Sequence, residues 1–139
     1  MAHKTSKRSF FQRLLGKPIT GAPADAGCWQ LQDGMLSVDL GRAPELASPY
    51  GAINLEDTGL PARILVLRDG ENRFHAFENA CAHAGRQLDP VAGTETVCCC
   101  SLGKSLYYYN GHPVDRPDLG PIKVFPVTVD GESLTIDLG

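Results

Sequence analysis

CAHAGRQLDPVAGTETVCCCSLG, residues 81–103, holds four of the chain's five cysteines and one of its four histidines. A Cys-x-His triplet opens it (Cys81, His83), and a run of three thiols closes it (Cys98, Cys99, Cys100). Thiolates and an imidazole gathered this closely suit zinc or an iron–sulfur cluster. Small residues flank the first pair (Ala80, Ala82, Ala84, Gly85) and let backbone N–H groups approach a metal-bound sulfur. Asp89-Pro90 and Gly93-Thr94 are turn signals, so the chain between the two groups is expected to turn and come back, with Cys81 near Cys99. Cys98 reads as a strand residue.

The flanks of this stretch read as strands. Residues 62–68 (ARILVLR) form the strongest strand pattern in the chain, rich in branched apolar side chains. Asp69-Gly70-Glu71-Asn72 is a turn. Residues 73–79 then return with Phe74, Ala76 and Glu78 on one face and His75 and Phe77 on the other, delivering the chain to Cys81. His75 reads as a strand histidine packed against its neighbours. Downstream, residues 105–109 (SLYYY) are strand-like, with one or two of the tyrosine rings in the core. Asn110-Gly111 is a hairpin signal, with His112 exposed beyond it, and residues 115–121 are a Pro-rich loop. Residues 124–129 and 133–138 alternate about Asp130-Gly131 as a last hairpin. A similar hairpin turns at Asp33-Gly34 near the other end (WQLQDGMLSVDL beside VTVDGESLTIDL). Cys28 reads as a half-buried strand thiol, residues 41–52 as a loop with one helical turn at 44–47, and residues 52–56 as a short strand. The sum is eight to ten short strands with almost no helix, an antiparallel sandwich or barrel.

Composition agrees. Fifteen glycines and ten prolines in 139 residues point to many turns. An odd, uneven set of five cysteines is a poor disulfide framework and a better metal or redox pattern. Residues 1–26 carry five Lys/Arg and one acid, whereas the rest carries eight bases and fifteen acids. An acidic body argues against a nucleic-acid surface and suits a basic protein partner. No apolar run approaches the roughly 20 residues of a membrane helix. Residues 1–26 are expected to be a basic, flexible tail and linker, with the domain at 27–139. Within the tail, SKRSFFQ (residues 6–12) is similar to a twin-arginine export motif with Lys7 in place of the first arginine. Gly16-Lys17-Pro18 interrupts the apolar stretch that such a signal requires. The expected location is therefore the cytoplasm, with export as the alternative. Gly103-Lys104-Ser105 echoes the end of a phosphate loop, but the earlier glycine is absent, its place being Cys98.

With these elements in order, residues 52–138 resemble the Rieske family. The strand pair leading into Cys81-x-His83, the fifteen residues between His83 and Cys99, the strand after Gly103 and the closing hairpin all match. The resemblance implies an all-β, Rieske-like antiparallel sandwich or barrel with two cluster-binding loops, at 81–86 and 98–103. In the family these loops read C-x-H and C-x-x-H, the two cysteines binding one iron of a [2Fe–2S] cluster and the two histidines the other. Counting from Cys99, the second histidine's place is held by Leu102, which cannot bind a metal. Cys100 stands where the family usually has proline and is the candidate replacement. The implied set is Cys81, His83, Cys99 and Cys100, three thiolates and one imidazole. The extra cysteines that pair in high-potential members correspond to Arg86 and Ser101, which excludes that disulfide. The family's Ser and Tyr hydroxyl positions correspond to Lys104 and Leu106. Fewer hydrogen bonds and an added thiolate imply a potential between a Rieske centre and the roughly −400 mV of all-cysteine plant-type ferredoxins.

The function that follows is one-electron transfer by a small ferredoxin-like protein. It would serve a larger reductase, oxygenase or other oxidoreductase rather than catalyse a reaction alone. Two other readings of the same residues stay open. One is a cluster-free interaction or structural module with buried thiols. In the other, Cys81, His83, Cys99 and Cys100 hold zinc, or the thiols carry out disulfide chemistry.

Overall fold

Residues 64–67 are buried on both faces of their strand, and the layering of the molecule follows from this. In the computed structural model, which describes residues 20–82, 85–99, 105–115, 118 and 120–139, three antiparallel sheets enclose two apolar cores. Eleven strands and three short 3₁₀ turns (Ala26–Cys28, Leu40–Arg42, Pro44–Leu46) make up the elements among the described residues. The expected all-β architecture is the observed one.

The first sheet is ordered β1 (Trp29–Gln32), β2 (Met35–Asp39), β11 (Ser133–Asp137), β10 (Val127–Asp130). It consists of the two look-alike hairpins, joined where β2 pairs with β11 and Val38 lies opposite Leu134. The first hairpin turns on Asp33 and Gly34, both at positive φ (54° and 78°), the type I′ geometry that twists with its strands. The last hairpin centres one residue beyond expectation: Asp130 pairs with Ser133, so Gly131 and Glu132 form its turn.

The second sheet runs β3 (Ala52–Leu55), β4 (Ile64–Arg68), β5 (Phe74–Glu78), β9 (Val124–Phe125). The third runs β6 (Leu88–Val91), β7 (Thr96–Cys99), β8 (Leu106–Tyr108). Side chains alternate across a strand, so β4 serves both cores. Ile64 and Val66 pack with Leu36, Val38, Leu134 and Ile136 of the first sheet. Leu65 and Leu67 pack with Leu88, Val97, Tyr107 and both Cys81 and Cys99.

Two expectations are corrected. Residues 124–129 are not one strand. Pro126 has no N–H for a ladder, and there the chain leaves the second sheet, where Phe125 pairs with Ala76, for the first, where Val127 pairs with Ile136. Residues 20–25, read as linker, lie against the domain. Thr20 N–H donates to Asp89 Oδ1 at 2.7 Å, Gly21 C=O accepts from Asn54 N–H at 2.9 Å, and Ala24 N–H donates to Glu45 Oε2 at 2.7 Å. The Gly21 carbonyl thereby takes up one backbone N–H on the open edge of β3. The export-like segment at 6–12 lies outside the described residues.

Candidate metal centre

Cys81, in the loop after one sheet's β5, and Cys99, at the end of another sheet's β7, meet at one end of the second core. Cys81 lies three residues beyond the end of β5. Cys99 is the last residue of β7, where alternation turns Val97 and Cys99 inward and leaves Thr96 and Cys98 partly exposed. Register places Cys99 opposite Leu88. The two sulfurs are 3.5 Å apart, with relative exposures of 3% and 0%. A disulfide requires about 2.05 Å. Two thiolates on one tetrahedral metal at about 2.3 Å stand about 3.8 Å apart. The pair therefore fits two corners of a metal site.

The backbone around Cys81 forms a tight turn. Cys81 N–H donates to Arg86 C=O at 2.8 Å, and Gly85 N–H donates to Cys81 C=O at 3.0 Å. Arg86 N–H points back to the Cys81 sulfur at 3.4 Å. Gly85 sits at φ +65°, a conformation that costs glycine nothing and aims the following N–H into the turn. The second loop is closed at its base, where Cys99 N–H donates to Ser105 C=O at 2.8 Å. A buried amide network holds the root of the first loop. Asn79 donates through Nδ2 to Asn54 Oδ1 at 2.7 Å and accepts from Leu88 N–H at 2.6 Å.

Tyr107 was legible only as a core ring, yet its hydroxyl belongs to the site. The residue is fully buried, and its Oη accepts from Ala82 N–H at 3.0 Å. Burial pushes the phenol's pKa up, and the neighbouring Cys81 and Cys99 add to this, so the hydroxyl stays protonated. The resemblance aligned the family's hydroxyl positions with Lys104 and Leu106, and the structure sets the hydroxyl of the next residue, Tyr107, against the first loop. A polar group two strands away in sequence leaves no local signal of this contact.

His83 and Cys100, the other two members of the expected set, lie outside the described residues, as does Leu102. Among the described residues no third Cys, His, Asp or Glu joins the pair. Cys28, read as a half-buried strand thiol, instead ends the first 3₁₀ turn and is buried in the other core at 1% exposure, where burial and then the carboxylates of Asp25 and Glu45 raise its pKa. His75 is packed as expected. Its ring stacks on Tyr109 with centroids 4.2 Å apart, and its Nε2 lies 2.9 Å from Asp69 Oδ2. No helix among the described residues is long and apolar enough to cross a membrane.

A family profile described as "Rieske [2Fe-2S] domain" matches residues 40–126. No curated protein matches the chain. Among solved structures, it is similar to the ferredoxin of carbazole 1,9a-dioxygenase from Nocardioides aromaticivorans IC177, with 23% identity and a TM-score of 0.56 over 66% of this chain and 88% of that one. It is similar to a chain in the complex of reduced oxygenase and oxidized ferredoxin in carbazole 1,9a-dioxygenase, with 21% identity and a TM-score of 0.62 over 76% and 94%. The plasma membrane Rieske protein PetC3 from Synechocystis PCC 6803 gives 15% identity and a TM-score of 0.51 over 62% and 85%. At these identities the likeness speaks for the fold.

Proposed function

The chain belongs to the Rieske [2Fe–2S] domain family, and from that premise we propose that it is an electron-transfer protein carrying a [2Fe–2S] cluster. We assign Cys81, His83, Cys99 and Cys100 as the ligands. The observation that carries the reading is the approach of two buried sulfurs, Cys81 in the loop after β5 and Cys99 at the end of β7, to 3.5 Å. When bound, such a cluster supplies a one-electron couple.

The chain's own residues do the rest. Leu65, Leu67, Leu88 and Val97 exclude water from behind the two thiols. Arg86 N–H is aimed at the Cys81 sulfur and helps fix its direction. Tyr107 and the Asn54–Asn79 pair hold the first loop against β6 and β8. The related solved complex pairs an oxygenase with a ferredoxin, and we carry that arrangement over as the partner class here, an oxygenase, reductase or other oxidoreductase.

Anaerobic purification followed by iron, sulfide and zinc analysis tests the reading, with visible and EPR spectra. About two iron and two sulfide per chain are expected. Zinc in their place, or a colourless metal-free protein, overturns it.

A further inference from the structure

We propose that Arg63 is a positioning residue for the Cys81 loop, acting through the peptide unit that joins Gly85 to Arg86. Arg63 lies just before β4, outside the loop. Its Nη2 donates to Gly85 C=O at 2.7 Å, and its Nε and Nη2 donate to Asn79 C=O at 3.2 and 3.0 Å. One guanidinium thus ties together the two ends of the turn that carries Cys81. The Asn79 N–H completes the tie by donating to Arg63 C=O at 2.8 Å.

The Gly85 carbonyl and the Arg86 N–H belong to the same peptide plane. The carbonyl faces Arg63, and the N–H faces the Cys81 sulfur at 3.4 Å. Anchoring one end of a planar unit fixes the direction of the other. A cationic donor on the carbonyl also polarises the amide, which makes its N–H a stronger donor to sulfur. Glycine at φ +65° leaves this peptide little steric hindrance to rotation, so an external anchor has something to hold. Among the described residues no carboxylate diverts Arg63: the ion pairs there are Arg42–Asp25, Arg73–Glu71 and His75–Asp69. A planar fork can span two carbonyls where an ammonium can serve only one direction at a time.

The effect on redox behaviour rests on the cluster reading above; the clamp itself does not. The test compares the full-length chain with Arg63→Gln and Arg63→Lys by hydrogen–deuterium exchange over residues 79–88 and by the midpoint potential. Arg63→Gln is expected to speed exchange in that segment by about tenfold or more, since it removes the charge-assisted bonds of one guanidinium, with β2 and β11 unchanged, and to move the potential to a more negative value. Arg63→Lys is expected to loosen the loop while keeping the potential nearer the parent's, which separates the clamp from its charge. Should Arg63→Gln fail to fold, the lysine variant decides. Parent-like exchange in residues 79–88 of a folded variant overturns the proposal, as does an increase spread evenly over the molecule. A parent protein without iron would overturn the cluster reading and leave the exchange comparison to decide the clamp.

Discussion

The side chain of Asn79 donates to Asn54 Oδ1 at 2.7 Å while its own Oδ1 accepts Leu88 N–H at 2.6 Å, so one amide ties β3, the root of the Cys81 loop and β6. Both asparagines are buried, at 1% and 6% exposure, and Leu88 is fully so. Removing the amide leaves a buried acceptor and a buried donor without this partner. Asn79→Ala is therefore expected to cost about 2–6 kcal/mol in urea unfolding, from two groups at about 1–3 kcal/mol each. A loss below about 0.5 kcal/mol, the scale of an ordinary surface change, would mean that water takes over both bonds.

Asp69 makes the acid limb of stability specific. Its carboxylate is buried, which by itself raises its pKa. The bonds from His75 and from the Arg73 and Glu71 N–H groups outweigh burial and hold it below the ordinary carboxylate value. As pH falls, the unfolded chain takes up this proton first. The stability Asp69 contributes is complete above about pH 4 and drains away as pH drops from there toward the lower folded value. Because a carboxylate only accepts, His75 Nε2 carries the shared proton. Asp69→Asn is expected to flatten the decline of the urea midpoint below about pH 4. An unchanged acid limb would assign that decline to other carboxylates.

Strand β4 shows what the sequence discloses well. Its run of four buried apolar residues without alternation is the pattern of a strand covered on both sides. Asp33-Gly34 likewise announces its turn. Strand β6 shows the opposite case. Asp89-Pro90 carries turn chemistry, yet both lie in an edge strand where a missing N–H is tolerated. One partner of the buried Asp89 carboxylate is the Thr20 N–H, 69 residues away, and no local pattern records it. The site divides the same way. Cys81 is legible from its spacing to His83, and the inward direction of Cys99 follows from strand alternation. Arg63 and Tyr107 are invisible as site residues because their roles exist only once the second and third sheets have brought them to the Cys81 loop.

The strap at residues 20–25 separates two truncations. Removing residues 1–18 leaves the Thr20, Gly21 and Ala24 backbone bonds intact, and stability is expected to stay within about 0.5 kcal/mol of the parent. Removing residues 1–25 takes the Thr20 N–H from Asp89 and the Gly21 carbonyl from the Asn54 N–H. It also removes the Asp25–Arg42 pair, which is exposed and contributes little. The longer truncation is expected to lose about 2–4 kcal/mol, chiefly through the two buried bonds. Equal unfolding midpoints for the two truncations would show that the strap is dispensable.

The three consecutive cysteines allow a ligand test within one short segment. Alternation in β7 turns Cys99 into the core beside Cys81 and leaves Cys98 partly exposed on the other face. Cys98→Ser is therefore expected to keep the visible bands of the purified protein. Cys99→Ser is expected to abolish them, because it removes one of the two sulfurs that meet at 3.5 Å. The proposed fourth ligand makes the sharper prediction. Cys100→Ser should lose the bands or move them to shorter wavelength, since an alkoxide or water is a harder and weaker donor to iron than a thiolate. Cys100→His would restore the family's pairing of two thiolates with two imidazoles, shifted by two positions from Leu102, and should raise the midpoint potential by removing a negative charge from the cluster. Equal loss of colour from Cys98→Ser and Cys100→Ser, with folding intact by far-ultraviolet dichroism, would show that the choice between these neighbouring thiols is wrong.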